Sequence, residues 1–85
     1  MPDQMSDIVV TTVLDCSGLL CPLPVYKAAL ALGKLDSGDV LELACTDPGS
    51  LRDIPAMARQ RGDRLLAFEE RGKAQIFWVE KGTST

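Results

Sequence analysis

Histidine is absent from all 85 residues. That excludes Cys–His nucleophilic pairs, Ser–His–Asp triads and any zinc site with an imidazole ligand built from this chain alone. An excess of positive charge is missing too. Nine Lys and Arg stand against twelve Asp and Glu, a formal net charge of -3, so the chain as a whole carries no electrostatic footprint for nucleic acid or an anionic membrane. No apolar run approaches the roughly 20 residues that span a bilayer. Met1 to Asp7 is polar and acidic, where a secretory signal would be basic and then apolar. These absences predict a soluble, cytoplasmic protein without direct nucleic-acid or membrane contact. Cysteine is scarce and odd in number, three residues with no C-x-x-C pair. This argues against a disulfide framework and for a reducing compartment. A zinc site would need an aspartate as fourth ligand, and neither metal nor other cofactor is expected.

What is present describes one small domain over residues 1–85. The hydrophobic share of 46% is that of a globular chain, with an ordered core expected from about Ile8 to Lys81 and loose tails at Met1 to Asp7 and Gly82 to Thr85. Ile8 to Leu14 is short and dense in β-branched residues, the pattern of a strand. A turn through Asp15 to Leu20 follows, with Gly18 free to adopt positive φ. From Pro22 to Leu35 the residues Val25, Ala28, Ala29, Leu32 and Leu35 recur at helical spacing. Val40 to Cys45 is a second strand, with Leu41, Leu43 and Cys45 on one face.

Beyond it, Thr46 to Ser50 breaks the strand. A short 3₁₀ piece from Pro48 then leads to a helix capped by Asp53 and ended by Gly62, with Ile54, Met57 and Ala58 turned inward. Arg64 to Glu69 and Ala74 to Glu80 form a hairpin around Glu70 to Lys73. The order β-α-β-α-β-β predicts an α+β two-layer sandwich, two helices on one face of a four-stranded mixed sheet. Both strand-helix-strand units are expected to pair their strands in parallel, with the hairpin adding one antiparallel strand. The second sheet face is then open, and Phe77 or Trp78 points toward it.

The chemistry centres on Cys21-Pro22-Leu23-Pro24. Proline lacks an N–H and is tolerated in a helix's first turn, so two prolines one residue apart mark a helix start. With Pro22 at N1 and Pro24 at N3, Cys21 becomes the N-cap. Its sulfur then lies over the positive end of the helix dipole, which lowers a thiol's pKa, and the Leu23 N–H is the main amide within its reach. A buried structural cysteine is the other reading of the same residues. Parallel first and second strands bring the Cys21 loop beside Asp47-Pro48-Gly49. Asp47 either braces that turn or raises the Cys21 pKa, with Lys27 or Arg52 positioned to offset it. Cys16 is a resolving thiol or a loop cysteine without a role, and Cys45 belongs to the core.

Without histidine, and with no evident substrate pocket, Cys21 is left with chemistry that sulfur performs alone, thiol exchange or the carriage of a sulfur atom as a persulfide. The second thiol of a thioredoxin-like C-x-x-C is missing. A carrier fits better than a reductase, and better than an enzyme with a substrate pocket of its own.

Leu14-Asp15-Cys16-Ser17-Gly18-Leu19-Leu20-Cys21-Pro22-Leu23-Pro24, then Gly38-Asp39, Thr46-Asp47-Pro48-Gly49-Ser50, Arg52-Asp53-Ile54-Pro55 and Gly62 resemble the TusA/SirA family of small sulfur carriers over about Leu14 to Val79. The resemblance implies the same β-α-β-α-β-β fold. It implies that Cys21 accepts sulfane sulfur from a cysteine desulfurase or rhodanese and passes it to a DsrE/TusD-like or other sulfurtransferase. The family's recipients include relays toward tRNA 2-thiouridine, sulfur oxidation and molybdenum cofactor assembly. Pro22, Leu23, Pro24 and Asp47 become supporting site residues, and Asp15, Cys16, Gly18 and Arg52 secondary ones. Two departures stand out: Cys16, where relatives often carry no thiol, and the lack of an aromatic near Met57. The first leaves open an extra redox function. A competing function is a non-catalytic binding or regulatory module that docks through the open sheet face.

Overall fold

The computed structural model describes residues 8–82; the expected tails Met1 to Asp7 and 83–85 lie outside the described residues. Its elements are β1 (Thr12–Cys16), α1 (Leu23–Gly33), β2 (Val40–Cys45), α2 (Ser50–Arg61), β3 (Arg64–Arg71) and β4 (Ala74–Glu80). The order and the two-layer arrangement are those expected from periodicity. Leu32, Leu41, Leu43, Ile54, Phe77 and Val79 fill the space between sheet and helices. Gly62 ends α2 at φ 81°, with its own N–H and that of Asp63 returning to Arg59 and Ala58 carbonyls, the left-handed cap that glycine permits.

Strand pairing departs from expectation. The sheet order is β1-β2-β4-β3. β1 and β2 are parallel, but β4 inserts antiparallel between β2 and β3, so the second strand-helix-strand unit skips a position and its strands do not pair. The reason is burial. Phe77 and Val79 on one face of β4 and Ile76 and Trp78 on the other are all buried, and a strand apolar on both faces belongs inside a sheet rather than at its edge.

The first strand begins later than its β-branched run. Thr12 to Cys16 pairs with Leu41 to Cys45, whereas Ile8 and Val10 pack against the small cluster of Val40, Ile76 and Trp78 on the second sheet face. That face is therefore not open, which corrects the expectation of an exposed aromatic. Trp78 does point that way, but it is only 6% exposed, and its Nε1 donates to Glu42 Oε1 at 2.9 Å. A bulge between Leu65 and Ala67 helps to close the face, since Leu66 and Ala67 both pack on the Trp78 cluster while Leu65 packs on the helix side.

Gly82, expected to begin a loose tail, is held: its N–H donates to Asp63 Oδ1 at 2.8 Å and its carbonyl accepts from Ser37 Oγ at 3.1 Å.

Candidate functional site

The C-terminal ends of β1 and β2 share one edge of the sheet, and two loops leave it together. Gly18 takes φ 82°, as the turn requires, and its N–H donates to Thr46 Oγ1 at 2.8 Å. The Cys21 N–H donates to Asp47 Oδ2 at 2.9 Å. The two loops are thus tied side by side, the neighbourhood that parallel strands predict. Gly49 passes close beneath: a Cβ there would stand 3.2 Å from Asp47 Oδ2 and 3.7 Å from the Cys21 Cβ.

The helix start is shifted by one residue. Pro22 is the N-cap, Leu23 is N1 and Pro24 is N2, so Cys21 stands one position before the cap. The Leu23 N–H turns back to the Leu20 carbonyl at 2.9 Å and does not serve the sulfur. Pro24 is buried on the inner side of α1, while Cys21 and Leu23 face solvent.

α2 also starts earlier than expected. The Ser50, Leu51 and Arg52 N–H groups bond to the Asp47, Pro48 and Gly49 carbonyls, the 3₁₀-type contacts that Pro48 announces. They run without a break into the helix. Gly49 is the N-cap, Pro55 lies inside the helix, and Asp53 sits in its first turn instead of capping it. The released carboxylate finds another partner: Cys21 Sγ donates to Asp53 Oδ2 at 2.8 Å.

That contact decides between the opposing effects of helix terminus, carboxylates and cations on Cys21. The Cys21 thiol is pushed above its ordinary pKa, first by the hydrogen bond to Asp53, then by desolvation and by the Asp53 and Asp47 charges; Arg52 opposes them with the smallest effect. The two carboxylates prevail because both contact Cys21 directly, Asp53 at its sulfur and Asp47 at its N–H, while the Leu23 N–H is spent on the Leu20 carbonyl. Arg52 lies 3.8 Å from Asp53 Oδ1 with its side chain 90% exposed, a weak, solvent-screened counter-charge. The field of Lys27 falls on Cys16 instead.

A shallow cleft of about 250 Å³ opens beside the sulfur between α1 and α2, lined by Cys21, Pro22, Val25, Asp53, Ala56, Met57 and Gln60. Its walls come from two helices that only the fold brings together, which is why no pocket is evident in the sequence. Asp53, Ala56, Met57 and Gln60 fall at i, i+3, i+4 and i+7, one face of a helix. That spacing was the signal in the sequence for the role of Asp53.

The other candidates separate. Asp15 accepts from the Ser17 N–H at 2.9 Å and braces the turn; hydrogen bonds from the Ser17 side chain, first, and from this N–H hold its carboxyl below the usual range. Cys16 is no loop cysteine. It ends β1 directly opposite Cys45, and both thiols are fully buried. Burial raises the pKa of each, against opposing effects from Lys27 on Cys16 and a Ser50 hydrogen bond on Cys45. A raised folded-state pKa stabilises the fold fully below the unfolded thiol's value of about 8.5 and loses that contribution as pH climbs past it. Urea midpoints are thus expected to fall between about pH 8 and pH 10, and to fall less steeply for a Cys16→Ala/Cys45→Ala protein; equal slopes would exclude these thiols as the cause.

The family model described as "Sulfurtransferase TusA" matches residues 12–81. The chain belongs to the TusA family. Similar relatives include the sulfur carrier protein TusA of Allochromatium vinosum, 44% identical over 68 residues that cover 80% of this chain and 90% of the relative. The putative sulfur carrier protein YrkI of Bacillus subtilis is 39% identical over 70 residues, 82% of this chain and 93% of the relative. A crystal structure of a SirA-like protein from Desulfitobacterium hafniense superposes with a TM-score of 0.76 at 24% identity, covering 85% of this chain and 99% of that one. It bears on the fold alone, which is that of the TusA-like two-layer sandwich described above.

Proposed function

We propose that this chain is a sulfur carrier that takes up sulfane sulfur as a persulfide on Cys21 and hands it to a downstream sulfurtransferase. One observation carries the reading: of three thiols in a TusA-family chain, only Cys21 reaches solvent, at the end of a loop and beside a cleft. The donor is a protein persulfide, of a cysteine desulfurase or rhodanese, and the acceptor is DsrE/TusD-like or another sulfurtransferase, in a cytoplasmic relay.

The chemistry follows from sulfur exchange. Cys21 Sγ attacks the outer sulfur of the donor persulfide as a thiolate. A new S–S bond forms, the donor's S–S bond breaks with its electron pair on the donor cysteine, and that cysteine takes up the proton that Cys21 gave up. Unloading repeats the step with the acceptor thiolate attacking the outer sulfur. No dithiol is consumed, and with Cys16 buried against Cys45, the geometry favours a carrier over an oxidoreductase that uses Cys16 to resolve Cys21. Exposed Leu20 and Leu23 adjoin the cysteine in sequence, and exposed Tyr26 and Leu30 continue along α1, an apolar surface suited to a protein partner that must approach within bonding distance of Sγ. The decisive test is incubation of reduced protein with a cysteine desulfurase and cysteine, followed by intact and peptide mass measurement. A reductant-labile gain of one sulfur atom on the Cys21 peptide is expected; no gain with several desulfurases and rhodaneses overturns the reading.

A further inference from the structure

The carrier reading leaves one contact unused. Cys21 Sγ does not point freely into solvent but is engaged at 2.8 Å by a carboxylate from the opposite helix. The main chain of the same residue is held by a second carboxylate, that of Asp47. These two contacts fix both ends of Cys21 and surround the sulfur with negative charge. A nucleophile at work needs the opposite environment.

We propose that Asp53 is a positioning residue that stores Cys21 as a hydrogen-bonded, weakly nucleophilic thiol between transfers, and that a guanidinium or ammonium side chain of the sulfur-exchanging partner, entering the cleft between α1 and α2, frees it. The inference rests on the carrier reading and names how that site is regulated.

Three observations support it. Asp53 lies in the wall of the cleft, with Val25, Ala56 and Met57 as its apolar neighbours there, and about 250 Å³ leaves room for a cationic head group beside the carboxylate. The only ion pair Asp53 makes among the described residues is the loose one to Arg52, whose side chain projects into water. The Asp53 side chain remains 29% exposed, so a partner can reach it. A cation placed there weakens the carboxylate as an acceptor and favours the thiolate at the same moment. The charged groups acting on Sγ are Asp53 and Arg52 from α2 and Asp47 from the β2–α2 loop. Arg52 is the one cation among them, and it stands 3.8 Å from Asp53 Oδ1 with its side chain 90% exposed, so the counter-charge it supplies is screened by water. The overall exchange stays balanced: donor persulfide and Cys21 thiol become donor thiol and Cys21 persulfide, and Asp53 holds the proton's bond but does not keep the proton.

The test is the pH–rate profile for iodoacetamide alkylation of the Cys21 peptide, read by mass spectrometry on the native full chain. Asp53→Asn preserves the size of the side chain and an acceptor oxygen but removes the charge. Its midpoint is expected at lower pH than that of the wild type, with alkylation near neutrality severalfold faster, while Asp53→Glu returns toward the wild-type profile. An Asp53→Asn profile that coincides with the wild type, or moves upward, overturns the proposal. Should that variant fold poorly by circular dichroism, the wild type alone decides: a midpoint at or below that of free cysteine in the same buffer also overturns it. The two readings fail separately. A shifted profile with no desulfurase-dependent sulfur gain in either protein rejects the carrier and retains the latch. An unshifted profile with normal loading rejects the latch and retains the carrier.

Discussion

Cys21→Ala is expected to abolish sulfur loading altogether, with the mass gain undetectable under conditions that load the wild type, while Cys16→Ala and Cys45→Ala load at near wild-type levels. The asymmetry follows from position. Persulfide transfer requires the attacking sulfur to come within bonding distance of a donor's outer sulfur along the line of its S–S bond, and a protein donor delivers that sulfur from outside. Cys16 and Cys45 face each other beneath the helices with no exposed surface, and burial raises both thiols, so neither is accessible nor ionised. Cys21 lies on the surface at the start of α1. The experiment compares the reductant-labile mass gain of the three variants. Loading that persists in Cys21→Ala and vanishes in Cys16→Ala would move the carrier site into the sheet and overturn the assignment.

Trp78→Ala is expected to destabilise the fold by about 3–5 kcal/mol, the range for removal of a buried large aromatic. Total stability for a chain of this length is of order 4–13 kcal/mol, so about a quarter of it or more is at stake. Trp78 is the centre of the second cluster. Val40, Ile76, Ala44, Leu66 and Ala67 pack there, Ile8 and Val10 cover it, and Glu42 loses its indole donor when the ring is removed. This outcome separates two functions. If the second face of the sheet were a docking surface, truncating Trp78 would leave stability near wild type and abolish partner-dependent activity. The packing predicts the reverse: a large drop in urea midpoint, with sulfur loading of the protein that remains folded preserved. A wild-type midpoint with lost loading by protein donors would restore the docking-face reading.

Much of this protein was legible in its residues because the governing physics is local. The stripe of Val25, Ala28, Ala29 and Leu32 made α1; Gly18 and Gly62 marked turns where only positive φ closes the chain; and two prolines one residue apart placed a helix start within one position of where it is. The neighbourhood of Cys21 and Asp47 followed from the parallel pairing of β1 and β2 alone. The C-P-x-P and D-P-x-S runs with the adjoining Arg52 to Pro55 segment were enough to point to the TusA family, because each run is contiguous in the chain.

Three features required the tertiary structure. β4 lies between β2 and β3 because it is apolar on both faces, a choice among partners that are distant in sequence and that no single strand specifies. Ile8 to Val10 has the composition of a strand, yet it covers Trp78, since the apolar surface there outweighs local β-propensity. The charge state of Cys21 was set across the fold. Its place at a helix start predicts a lowered thiol pKa, whereas Asp53, 32 positions further along the chain, meets the sulfur at 2.8 Å and raises it. Sequence by itself singled out Cys21 among the three thiols, because it alone adjoins the prolines that start a helix. Only the fold decided how its sulfur is held, because electrostatic effects depend on distances that chain order does not contain.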